Sequence, residues 1–102
     1  MKKNLIVDKS MDFAVRIVNL YKYLTKEKSE YILSKQLLRS GTSIGANVNE
    51  AVRAQSPADF VAKMYIALKE SGESEYWIKL LEKQIILLKF KLKVYLRTAR
   101  SS

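Results

Sequence analysis

Along residues 33–54, LSKQLLRSGTSIGANVNEAVRA, the positions Leu33, Leu37, Ser40, Ile44, Asn47, Ala51 and Ala54 recur at alternating spacings of four and three. That seven-residue rhythm predicts a helix whose seam faces other helices. The outer turns of the seam are aliphatic. Its middle is small and polar, with Gly41 and Gly45 one turn apart beside Ser40, Thr42, Ser43 and Ala46. A glycine inside a helix costs about 1 kcal/mol relative to alanine. Two of them call for compensation, and close approach by a neighbouring helix supplies it. Asn47 on such a seam requires polar partners and can fix register. The rival reading of SGTSIGA, a phosphate-cradling loop, fails on spacing. The glycines are separated by three residues, no Gly-Lys-Ser/Thr follows, and no strand pattern leads in.

The same periodicity places three further segments. A first helix runs over about 10–26, with Ser10 as its cap and Phe13, Ile17, Leu20, Tyr21 and Leu24 as its apolar stripe. The polar link TKEKS (residues 25–29) is short and favours an antiparallel neighbour. The second helix then spans about 30–55, capped by Ser29. Ser56-Pro57-Ala58-Asp59 ends it and starts a third, with Ser56 as N-cap and Pro57 in the first turn. From there Phe60, Met64, Ala67, Ser71, Ser74, Ile78, Leu81, Ile85, Leu88, Leu92 and Tyr95 keep the rhythm.

One helix from residue 57 to 96 would be about 60 Å long against about 39 Å for the second. Either the chain bends near residues 82–84, giving helices over about 57–82 and 84–98, or the overhang packs on other subunits. Residues 88–97, LKFKLKVYLR, also alternate as a strand would, but no breaker separates them from the preceding helix. The expected fold is therefore all-α, an antiparallel up-down bundle of four-helix type in a single domain over residues 1–102, its C-terminal helix atypical or continuous with helix three.

Composition narrows the chemistry. The 102 residues contain neither cysteine nor histidine, which removes disulfides, thiolate nucleophiles, imidazole bases and the usual zinc sites. The apolar run near the N-terminus, Leu5-Ile6-Val7, is too short for a signal peptide, and no run reaches a membrane-spanning length. A cytoplasmic protein is expected. Glu70 and Glu73 share a face one turn apart, as do Asn47 and Glu50. Di-metal bundles of this kind use Glu-x-x-His pairs, and there is no histidine here. An oxygen-only magnesium site is the alternative, pairing with Arg16, Arg39 or Arg53 the simpler reading. Ser40, Thr42 and Ser43 lack a base. No enzyme activity, metal or cofactor is expected.

The net charge is +9, and it is uneven: residues 1–78 hold 12 Lys/Arg against 9 Asp/Glu, residues 79–102 hold 7 against 1. Such asymmetry points to a polyanion. The candidate phosphate contacts are Lys22 and Lys26, Lys35 and Arg39, Arg53, and the stripe Lys89, Lys93, Arg97 and Arg100. Tyr65, Tyr76, Trp77 and Tyr95 can stack on bases, although Tyr65 and Trp77 sit beside seam positions where aromatic packing is the commoner role. Residues 87–100 lying on an anionic membrane surface is a weaker alternative.

The segments FAVRIVNLY, LSKQLLRSGTSIGANVNEA and SPADFVAKMYIALKESGESEYW closely resemble the bacterial four-helix-bundle family of proteins encoded in 23S rRNA intervening sequences, the S23 family. The resemblance covers about two-thirds of the chain. It implies an up-down bundle assembled as a homo-oligomer, a ring-like homopentamer, and an architecture similar to the basic pentameric accessory proteins that serve the reverse transcriptase of diversity-generating retroelements and its RNA. Its signature falls on Arg39, Ser40, Gly41, Ser43, Ile44, Gly45, Asn47 and Glu50, a structural network rather than a catalytic one. The sequence departs from the family after Trp77, where no turn precedes the basic and apolar end. The expected partners are thus nucleic acid, RNA above all, and further copies of the chain, with a protein-interaction role lacking any nucleic acid as the alternative.

Overall fold

The computed structural model of the chain describes residues 4–101, apart from the side chains of residues 86, 100 and 101. It is all-α: α1 (Leu5–Glu27), α2 (Leu33–Val52) and α3 (Pro57–Ser101). No strand occurs among the described residues. The pairs Ile17–Gly41 and Ser10–Gly45, and Ser40–Ser74 and Glu50–Lys63, each fall in opposite chain order, so α2 runs antiparallel to both neighbours. α2 lies in the middle. Among the described residues no Cα of α1 comes within 8 Å of one in α3.

The helix ends differ from the expected ones for local reasons. α1 begins at Leu5 because Asn4 caps it, its Oδ1 accepting from the Val7 N–H at 3.4 Å, with Asp8 in the favourable first turn. Ser10 is inside the helix and buried, its hydroxyl donating to the Val7 carbonyl at 3.0 Å. Ser29 does not cap α2 either. It takes the left-handed conformation, φ 51°, that closes α1, and the Glu30 N–H then bonds the Leu24 carbonyl at 2.9 Å. The cap of α2 comes from Glu30, whose carboxylate accepts from the N–H groups of Ile32, Leu33 and Ser34 at 3.3, 3.1 and 2.6 Å. Ser56 caps α3, its hydroxyl accepting from the Asp59 N–H at 3.1 Å.

The separate helix over 84–98 is absent. Residues 57–101 form one helix of 45 residues, about 68 Å at 1.5 Å per residue, which accounts for a long axis of 70 Å. Glu82-Lys83-Gln84 are good helix formers and nothing there offers a turn. α3 therefore runs on past its partners.

Packing explains why α2 has two kinds of surface. Toward α1 it presents glycine: a Cβ on Gly41 would meet Ile17 Cγ1 and Cγ2 at 2.9 Å, and one on Gly45 would meet the Ser10 carbonyl oxygen at 3.3 Å. Toward α3 it presents Ser40, fully buried against Ser74. The apolar core, Ile17, Leu24, Leu37 and Leu81 with Phe13, Leu20, Leu33, Leu38 and Trp77 around it, lies where the C-terminal half of α1 meets α2 and the middle of α3. On α3 the face against α2 is Ala67, Glu70, Ser74 and Leu81. Ser71, expected on the seam, is exposed, and Glu70 takes the inward place.

Candidate nucleic-acid interface

Glu70 is buried at the α2–α3 contact because Arg39 meets it. Arg39 Nη1 lies 3.3 Å from Glu70 Oε2, and Nη2 lies 2.5 Å from Glu73 Oε1. The Glu73 carboxylate also accepts from Trp77 Nε1 at 3.2 Å. The Arg39 hydrogen bond, followed by that from Trp77, holds the Glu73 carboxyl below its ordinary range. A phosphate approaching Arg39 would have to displace both carboxylates.

The other signature side chains are similarly occupied. Ser74 and Ser40 hydroxyls are 2.9 Å apart. The Asn47 amide donates to the Ser43 carbonyl and hydroxyl at 2.9 and 3.1 Å, so its partners come from its own helix. Asn49 donates to the Gly45 carbonyl at 2.9 Å, and Glu50 pairs with Lys63 at 3.3 Å. Residues 40–47 are continuous helix. Among the described residues no three acidic side chains converge to hold a metal ion, and no helix is long and apolar enough to cross a membrane.

The basic candidates divide into two places. Lys22, Lys26 and Lys35 are exposed near the α1–α2 connection, where the antiparallel pairing sets Lys22 and Lys35 at one level. Arg53, the C-cap of α2, lies about 27 Å away along the helix and joins neither group. Lys89, Lys93 and Arg97 are exposed on α3 beyond the core, and the Arg100 side chain is outside the described residues. Lys83 and Lys79 lie on the same side of α3 as Lys93 and Arg97 and extend that stripe back to the level of the core. Lys79 is held by Glu75 at 2.9 Å, while Lys83 is exposed. These two were not among the expected contacts. Reading α3 as unbroken through residues 82–84 would have revealed them, since they then fall in line with the terminal stripe. Of the aromatics, Trp77 packs against the core and meets Tyr76 edge-on at 5.1 Å, whereas Tyr65 and Tyr95 are exposed.

The family model of the 23S rRNA-intervening sequence protein matches residues 2–100. The chain belongs to that family. It is also similar to a crystal structure of a protein with unknown function from the S23 ribosomal protein family of Bacteroides thetaiotaomicron. The two are 61% identical with a TM-score of 0.77, over 78% of this chain and 74% of that one. No curated protein matches the chain. The family match is continuous across the glycine-bearing α2 and the long α3.

Proposed function

We propose that this protein is a non-catalytic, cytoplasmic homo-oligomer of helical bundles that binds RNA through basic faces. The observation that carries this reading is the distribution of charge along α3. Seven Lys/Arg against one Glu follow residue 78, on a helix that continues beyond the core with the charged side chains of residues 79–97 exposed. A positively charged rod about 30 Å long offers several phosphates simultaneous contact without reading bases. The polar groups that a catalytic reading would need support the non-catalytic one: Arg39, Glu70, Glu73, Ser40 and Asn47 bond one another or their own helices. Titrating a structured RNA into the protein at low salt and then across a salt series tests the proposal. Binding that weakens steeply with salt is expected, and no binding even at low salt overturns it.

A second reading, an interaction module with no nucleic-acid role, is favoured by the row of exposed apolar side chains on the same helix. A defined oligomer that ignores RNA in the same titration would select it.

A further inference from the structure

A seven-residue spacing on α3 brings charge and aromatic rings into one line. Lys69, Tyr76, Lys83, Phe90 and Arg97 alternate basic and aromatic at intervals of seven. Each step is two turns, about 10.5 Å of helix, and the row spans about 42 Å. At about 100° per residue it lies on the side of α3 opposite Ala67, Glu70, Ser74 and Leu81, which pack against α2. All five side chains are exposed, Tyr76 by 59% and Phe90 by 61%. Each ring is followed by the same basic pair, three and seven residues on: Tyr76 by Lys79 and Lys83, Phe90 by Lys93 and Arg97.

We infer that this row is a track for an unpaired stretch of RNA, with bases stacked on Tyr76 and Phe90 and the phosphates between them held by the basic members. The inference rests on the RNA-binding reading above and names the form of RNA that the site takes. Three features of the molecule support it. First, the rings are placed for stacking. Phe90 lies beyond the core with basic residues before and after it in the row, and a positive path interrupted by exposed aromatic faces is how single strands are held without regard to sequence. Second, shape favours an open strand over a duplex. Paired bases hide their faces from Tyr76 and Phe90, and the deep, narrow major groove of an RNA duplex does not admit a helix about 10–12 Å across. Third, the charge lacks an internal counterweight. Lys89 and Lys93 stand one turn apart, and no Asp or Glu follows Glu82, so a bound polyanion relieves a repulsion within the helix. A helix built to lie on a membrane segregates basic and apolar side chains on opposite faces, whereas in this row they alternate along one line.

The test is the affinity of the full chain for an oligo(U) strand, for the same strand paired with oligo(A), and for heparin, a polyanion without bases. The natural chain is compared with Phe90→Leu and with Tyr76→Leu/Phe90→Leu, which keep charge and apolar character and remove only the rings. These positions are exposed, so both variants keep their helicity by circular dichroism. The natural chain is expected to bind oligo(U) more tightly than the duplex. Phe90→Leu should weaken oligo(U) binding roughly 3- to 10-fold and the double variant roughly 10- to 100-fold. The salt slope should stay that of the natural chain, because the phosphate contacts remain, and affinity for the duplex and for heparin should not change. No binding to either RNA at low salt overturns both this inference and the RNA reading. A duplex bound as tightly as oligo(U), or a double variant that binds oligo(U) like the natural chain, overturns this inference alone. Equal loss for heparin would mean that the rings serve the display of charge, and would overturn it too. So would binding to phosphatidylserine vesicles at a salt concentration where oligo(U) is released, since the row would then fit a membrane surface better than RNA.

Discussion

The hydroxyls of Ser40 and Ser74 lie 2.9 Å apart, buried to within 2% of full enclosure, and join α2 to α3. Ser40 also reaches the Leu37 carbonyl at 3.4 Å, so each hydroxyl has a partner. Removing one leaves the other incomplete. Ser40→Ala or Ser74→Ala should cost about 1–2 kcal/mol each, and the double variant less than the sum of the two. Chemical denaturation of the four-member cycle measures this; strict additivity would mean the hydroxyls do not interact.

The glycines of α2 and α3 should respond oppositely to one added methyl. At Gly41 the Cβ would collide with both γ-carbons of Ile17, which branch directly from its backbone-proximal Cβ and cannot swing away. Gly41→Ala should destabilise by about 1–3 kcal/mol despite its better helix propensity. Gly72 has open space around it, so Gly72→Ala should stabilise by up to about 1 kcal/mol. Thermal melts of the two variants check the signs.

Glu70 is buried beside a guanidinium that is half exposed. Arg39→Ala strands the carboxylate, and a loss of about 1–3 kcal/mol is expected, toward the lower end because water reaches the pair. Arg39→Ala/Glu70→Gln should recover part of the loss. Equal stability of single and double variants would show that Glu70 does not depend on Arg39.

Glu30 carries a pH dependence. Burial pushes its pKa up, but the N–H donors of Ser34 and Leu33, the Ser34 hydroxyl and the Ile32 N–H outweigh burial and hold it below the ordinary carboxylate value. A carboxyl with a depressed folded pKa contributes stability above its unfolded pKa that is lost as pH falls through the folded one. Melting temperature should therefore decline below about pH 4.5, and Glu30→Gln should reduce the slope of that decline. An unchanged slope would remove Glu30 from the account.

How far the sequence alone could be read depends on where the information sits. The heptad rhythm of α2, its glycines and the Ser56-Pro57 start of α3 are local signals; they place one helix boundary and part of the packing side of α2, through Leu37, Ser40 and Ala51, whereas Ser34 and Val48 are buried off that seam because α2 packs on two sides. The starts of α1 and α2 lie away from the expected ones because serine is a good cap in general, while Asn4 and Glu30 take those roles in place of Ser10 and Ser29. The absence of a turn at residues 82–84 was visible, but its outcome depended on whether packing would bend the chain. Arg39 could be read either as a phosphate contact or as a partner of Glu70. Only the inward rotation of Glu70 in place of Ser71 decides that its guanidinium faces carboxylates, and a seam read at seven-residue pitch does not resolve a shift of one position.

On the function proposed above, exposed basic side chains along the overhanging part of α3 bind RNA phosphates. The most direct measurement is the salt dependence of RNA affinity for the natural chain and for Lys83→Gln/Lys93→Gln, neither of which touches the core. Each lost phosphate contact lowers the log–log slope by roughly 0.7–0.9. The claim predicts weaker binding and a slope reduced by roughly 1.4–1.8, with helicity unchanged. A natural chain that binds no structured RNA at low salt, or a variant with the same slope and affinity, would contradict it.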